Sequence, residues 1–186
     1  MAVQKIFLSH MAADSKEAAR FKSIVEKHGL TVFSAEDLQP GVELLNWMTS
    51  VLSDCDIVVV LVGPETRHSH WVDREIEQGT ATRESGPSAG LLGVVLKTHP
   101  DFEKPYYDPI NVPLRLHDRV QWEYGIVRKW SEDPDEVLLW LEEADRRRMH
   151  FQPATSLRAL RELRRFPWNE SLDEQRPLKA WLELEP

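Results

Sequence analysis

The sequence predicts an α/β fold, with a central parallel sheet of four to five strands and helices on both faces. Three observations carry this. Short apolar runs rich in Ile, Val and Leu recur at residues 3–9, 30–33, Ile57–Val62 and 91–96, and runs of that length and composition are typical of strands buried on both faces. Segments with apolar residues at helical spacing separate them. The first strand, helix and strand occupy about 30 residues, the length of a βαβ unit with a right-handed crossover.

Each element follows from local chemistry. The first strand starts almost at the amino terminus and ends at Ser9-His10. Asp14, with Glu17 three residues on, has the pattern of a helix N-cap. The helix over residues 15–28 sets Ala18, Phe21, Ile24 and Val25 on one side, and Gly29 stops it. Neither G-x-G-x-x-G nor G-x-x-x-x-G-K-[ST] follows the first strand, which excludes the Rossmann and Walker phosphate geometries. The second strand exits into an acidic loop, residues 34–41, that closes on the Pro40-Gly41 turn signal. A helix over residues 42–52 then presents Leu44, Leu45, Met48, Val51 and Leu52 on one face.

Ile57–Val62 reads as the central strand, with Gly63-Pro64 as its exit. The next helix begins near Ser69 and runs to about Thr82. Val72 and Ile76 form its stripe toward the sheet, while Trp71 and Glu75 stand four residues apart on one face, with Glu75 expected at the rim of that contact. Residues 83–90 are a flexible connection by composition. Beyond the strand at 91–96, residues 98–113 read as an ordered, proline-rich loop over the surface or over a pocket, and residues 116–122 as a fifth, edge strand. Ser131 to Pro134 starts a helix that buries Val137, Leu138, Leu141 and Ala144 and runs to Arg148. A last helical segment is expected over residues 155–166, with Trp168 and Trp181 stapling the tail. The expected organisation is therefore one domain over residues 1–150 and a helical extension over residues 151–186 packed on it.

A chain of 186 residues with 41% hydrophobic content fits one sizeable core. Its formal charge of -8 argues against a nucleic-acid partner. The arginines at 146–148 and 158–165 lie among acids and leucines at helical spacing, as on a solvated helix face. The single cysteine, Cys55, can form no internal disulfide, which suits a reducing compartment. With no secretory segment and no apolar stretch near the ~18 residues needed to span a bilayer, a soluble, cytoplasmic protein is expected, with no membrane partner. His68 and His70 bracket Ser69 without a third ligand nearby, so no metal site is expected.

Glu75 carries the functional question. Acidic side chains are favoured near helix N-termini, and Asp73 and Glu77 fit that description equally, so spacing leaves both a structural and a site role open. In an open α/β sheet, ligands gather outside the carboxyl ends of the strands, where Ser9-His10, Phe33-Ser34, Gly63 and the start of the Trp71 helix should converge. The succession Phe7-Leu8-Ser9, Val32-Phe33, Pro40-Gly41, Ile57–Val62 and Trp71-Val72-Asp73-Arg74-Glu75 resembles the Toll/interleukin-1 receptor (TIR) domain family, with its W-x-x-x-E helix, over residues 3 to about 97. Ser9-His10 and residues 61–66 are similar to bacterial TIR proteins, including those of Thoeris anti-phage systems.

The resemblance implies a flavodoxin-like fold and an enzyme that hydrolyses or cyclises NAD, with NAD as substrate and no separate cofactor. It implies Glu75 as the catalytic carboxylate, ionised at neutral pH, and Ser9, His10, Phe33, Ser34, Gly63 and Trp71 as the substrate-binding rim, with Trp71 either stacking a ring or packing. Self-association through TIR surfaces and a downstream effector reached by a nucleotide product are further implications. Where NAD-cleaving relatives often carry basic residues, this chain offers His10 and Val42, with only acids as charged residues between Ser34 and Gly41; that leaves room for a basic group from another subunit. Two alternatives stand beside the enzyme: a non-catalytic TIR scaffold that self-associates through the loop at 36–41, and a nucleoside deoxyribosyltransferase-like enzyme with the same kind of sheet and glutamate.

Overall fold

The computed structural model describes residues 3–83 and 87–150, together with the backbone of Phe166–Pro167. In chain order the strands are β1 (Lys5–Ser9), β2 (Thr31–Phe33), β3 (Ile57–Val62), β4 (Gly90–Val95), β5 (Tyr106–Tyr107), β6 (Gly125–Lys129) and β7 (Phe166–Pro167). The helices are α1 (Ser15–Glu26), α2 (Leu44–Asp54), α3 (His70–Gly79), α4 (Leu114–Gln121) and α5 (Pro134–His150). Five strands form one parallel sheet in the order β2-β1-β3-β4-β6, with Phe7 opposite Val58, Ser9 opposite Val60 and Val60 opposite Gly93. Every residue of β3 and β4 is buried, because helices cover the sheet on both sides.

The alternation of strand side chains divides the core in two. Ile6, Leu8, Val59, Leu61, Leu92 and Val94 face Phe21 and Val25 of α1 and Val137 and Leu141 of α5. Phe7, Val58, Val60, Val62 and Leu91 face Met48 and Leu52 of α2, Val72 and Ile76 of α3 and Leu116 of α4. Helix α3 lies so close to the sheet that a Cβ on Gly79 would overlap Val58 Cγ2.

Two expectations are corrected. Residues 116–122 do not form the edge strand: Leu114–Gln121 is helix α4, and the fifth strand is β6. Helix α4 is stabilised from outside its own segment, since Asp73 of α3 accepts a hydrogen bond from the Arg115 amide (3.4 Å) in its first turn. The strand that does complete the sheet hides in sequence because it carries Arg128, whose charge is buried against Glu143 of α5. The second concerns Asp14, which stands at the N-cap of α1 as expected. Its side chain makes no capping hydrogen bond to α1, and the capping box of this region is instead Ser34 with Asp37.

The loop at 98–113 is ordered around Asp101, which is fully buried. Its carboxylate accepts from the Asp108 amide (2.8 Å), Asn111 Nδ2 (2.9 Å) and Lys104 Nζ (2.6 Å). The same loop contains β5, which pairs antiparallel with β7. Phe166, expected to end a helix, therefore stands in a strand. The rest of the segment expected to be helical, Trp168, Trp181 and the boundary of the extension lie outside the described residues, as do residues 84–86. Among the described residues no helix is long and apolar enough to cross a membrane. Cys55 is buried at the entry to β3, donates its thiol to the Leu52 carbonyl (3.3 Å), and is pushed up to about 11 by burial.

Candidate active site at the carboxyl edge of the sheet

The chain steps outward from β1 to β2 and then returns to β3 on the other side of β1. At such a reversal the connections leave in opposite directions and open a crevice beyond the carboxyl ends of the two strands. Ser9 ends β1 and Gly63 follows β3, so both stand at that crevice.

Ser9 lies two residues beyond Phe7 and shares its side of the sheet, the side covered by α3. Helix α3 starts at Ser69, whose Oγ accepts from the Val72 amide (3.3 Å) as an N-cap. Its buried residues are Val72, Glu75, Ile76 and Gly79, one stripe at spacings of three and four. Glu75 therefore belongs to the buried stripe and not to its rim, with 6% of its surface exposed. Ser9 Oγ donates to Glu75 Oε2 at 2.5 Å.

Burial pushes the Glu75 carboxyl up to about 7, against the opposing pull of the Ser9 hydrogen bond. The expectation of a fully ionised carboxylate at neutral pH is thus modified: in the unliganded protein, desolvation opposes the favourable end of a ten-residue helix and brings the carboxyl to titrate around neutrality. Trp71 is half exposed. Four residues on a helix advance about 40° beyond a full turn, which carries Glu75 into the contact and leaves Trp71 outside it.

The remaining expected residues separate into small local systems. His10, on a side chain only 5% exposed, points Nδ1 at the Leu8 carbonyl (3.5 Å) and Nε2 at Glu36 Oε1 (3.3 Å). Glu36 also accepts from Ser15 Oγ (2.9 Å), and the Ser15 and His10 contacts hold its carboxyl below the usual value. The loop after β2 is thereby tied to the start of α1. Ser34 donates its amide (2.7 Å) and its hydroxyl (3.2 Å) to Asp37 Oδ2, so its polar groups are engaged within their own turn. Phe33 is half-buried against the α2–α3 side of the core. The Gly63 amide donates to Thr66 Oγ1 (2.9 Å).

Sequence reasoning missed the roles of Glu36, Thr66 and Asp14. The acid five residues after Ser9, inside a loop that leaves a strand's carboxyl end, was the available signal for Asp14. It is 6% exposed, and its carboxylate lies over the Cα of Gly63: a Cβ there would stand 2.5 Å from either carboxylate oxygen. Burial raises its pKa above the ordinary value, with Glu17 adding to the effect and His10 opposing it.

Fold and site together define a doubly wound α/β protein with a buried carboxylate at the switch point of its sheet. The chain belongs to the TIR domain family, whose sequence profile matches residues 6–131. It is also similar to a chain in a solved structure described as the activated Roq1 resistosome directly recognizing the pathogen effector XopQ (TIR domains). That likeness has a TM-score of 0.44 and 16% identity, and covers 78% of this chain and 84% of the other. No curated protein sequence matches this one.

Proposed function

We propose that this TIR domain cleaves the bond between nicotinamide and ribose in NAD. The observation that carries the reading is Glu75: a glutamate buried in an otherwise apolar helix–sheet contact, at the sheet's switch point, with Ser9 Oγ as its donor. A carboxyl desolvated to this degree next to a crevice is uncommon unless the site uses it.

The chemistry suits a single carboxylate. Nicotinamide leaves as a neutral ring from a pyridinium, so no general acid is required. The bond breaks with its electron pair going to the ring nitrogen, and the ribosyl group becomes oxocarbenium-like. Glu75, held by Ser9, stabilises that charge through electrostatics at short range. A pyridinium brought against Glu75 favours its ionised form, so the substrate itself counters the effect of burial. Water then adds to the ribosyl carbon and releases a proton to give ADP-ribose, or the adenine of the same molecule closes on that carbon to give a cyclic product. In a bacterial cytoplasm this activity would serve anti-phage defence, with the nucleotide product carrying the signal to an effector.

The test is incubation of the full chain with NAD at high protein concentration, following nicotinamide and ADP-ribose species by chromatography and mass. Wild type is expected to release nicotinamide, and Glu75→Gln to fold normally with turnover lower by about two orders of magnitude or more. A second reading, a non-catalytic scaffold, is favoured by Val42, which is 46% exposed directly after Gly41 in the loop that follows β2. Equal and negligible NAD loss by both proteins, with self-association that Val42→Asp disrupts, would select it.

A further inference from the structure

The reading above leaves a second buried carboxylate at the same edge of the sheet without a role. Asp14 ends the turn that follows β1 and is 6% exposed. Its position invites a cap to α1, yet its side chain makes none. Among the described residues its carboxylate has no hydrogen-bond donor at all, whereas Asp101, buried to a similar degree, has three. A carboxylate this desolvated with no donor from the protein is unfavourable for folding, and its oxygens are not sealed from solvent, so a ligand can meet them. The surroundings also make room for it, because Gly63 at the end of β3 lacks the Cβ that would strike both carboxylate oxygens.

The geometry points to Asp14 as a substrate-binding residue that accepts hydrogen bonds from neutral donors of the dinucleotide, either ribose hydroxyls or the carboxamide N–H. This assignment rests on the NAD reading of the site. Asp14 directly precedes α1 and lies over Gly63 after β3, while Glu75 comes from α3 and bonds Ser9 at the end of β1, so the two carboxylates belong to the carboxyl ends of neighbouring strands. The sign of the charge decides the chemistry. Asp14, with Glu36 and Asp37 in the neighbouring loop, repels phosphates and attracts hydroxyl and amide donors. The ligand's uncharged polar groups therefore belong at this side of the crevice and its diphosphate elsewhere.

The test uses the full chain with Asp14→Asn, which keeps the shape and removes the charge. Three quantities are compared with wild type: the melting temperature at pH 8 without ligand, the KM and kcat for NAD, and the affinity for ADP-ribose by calorimetry. The expected result is a melting temperature equal or higher by a few degrees, since a partly desolvated charge without a protein donor is gone, together with an NAD KM raised about tenfold or more and a smaller change in kcat. If ADP-ribose affinity falls in parallel, the donor is a ribose hydroxyl; if it is unchanged while the NAD KM rises, the donor is the carboxamide. A lowered melting temperature, or unchanged KM and affinity, overturns the assignment. Wild type that binds ADP-ribose without cleaving NAD overturns the reading of Glu75, and the affinity of Asp14→Asn for intact NAD, measured by calorimetry, then decides for or against Asp14. Wild type that neither cleaves NAD nor binds ADP-ribose overturns both.

Discussion

Glu75 and Ser9 form the pair on which the chemistry turns, and their energetics can be separated from it. A carboxyl raised from 4.5 to about 7 by folding favours the native state fully below pH 4.5, and that contribution disappears as pH rises through 7. The shift corresponds to a pH-dependent change on the order of 3 kcal/mol. Glu75→Gln, which has no proton to lose, is therefore expected to gain stability over wild type between pH 5 and pH 8, visible as diverging urea midpoints. The same titration predicts that kcat/KM for NAD rises through about pH 7 as the free enzyme's carboxyl ionises. Ser9→Ala removes the hydrogen bond that favours the ionised form, so its acid limb should move to higher pH while the alkaline plateau survives in part. An unmoved limb would show that another group sets it.

Helix α3 is the element that delivers Glu75, and its distance from the sheet is set by Gly79. In an ordinary helix interior, Gly→Ala stabilises by about 1 kcal/mol. Here the new methyl would overlap Val58 Cγ2, so Gly79→Ala is expected to cost about 1–3 kcal/mol by overpacking. Because α3 would tilt away from the strand carrying Val58, turnover should fall along with stability. Stabilisation measured by denaturant titration would mean that the contact relaxes without moving the helix. The join between α3 and α4 obeys the same logic, with Asp73 accepting from the Arg115 amide and Glu77 pairing with Arg115 Nη2 at 3.0 Å. One helix thus presents the site inward and anchors its neighbour outward.

At the scale of the molecule, the sheet's last strand is held by charge buried between β6 and α5. Glu143 receives Arg128 Nη2 (2.5 Å) and Arg147 Nη2 (2.9 Å), and Arg147 also donates to the Glu123 and Gly125 carbonyls. Glu143→Ala leaves two buried guanidinium groups without their carboxylate and is expected to destabilise by about 3–5 kcal/mol, read as a lower urea midpoint with an unaltered pH dependence of the remaining activity. This network also marks where the sequence stops being readable. Strands β1, β3 and β4 were legible because burial on both faces gives them continuous apolar runs, Ile6 to Leu8, Ile57 to Val62 and Leu91 to Val95 broken by Gly93 alone. Helix α3 was legible because Ser69 caps it and Val72 and Ile76 recur at helical spacing. Strand β6 was not, since a strand containing Arg128 looks polar until Glu143 is placed against it, and α4 was not, since a residue on another helix caps it. The parallel α/β order and the helix that carries Glu75 could be read along the chain, because both follow from periodicity within one segment. The burial of Glu75 on Ser9 and the placement of Asp14 over Gly63 emerge in three dimensions alone. Desolvation and hydrogen bonding depend on which distant segments meet at the sheet's edge, and no local pattern encodes that meeting.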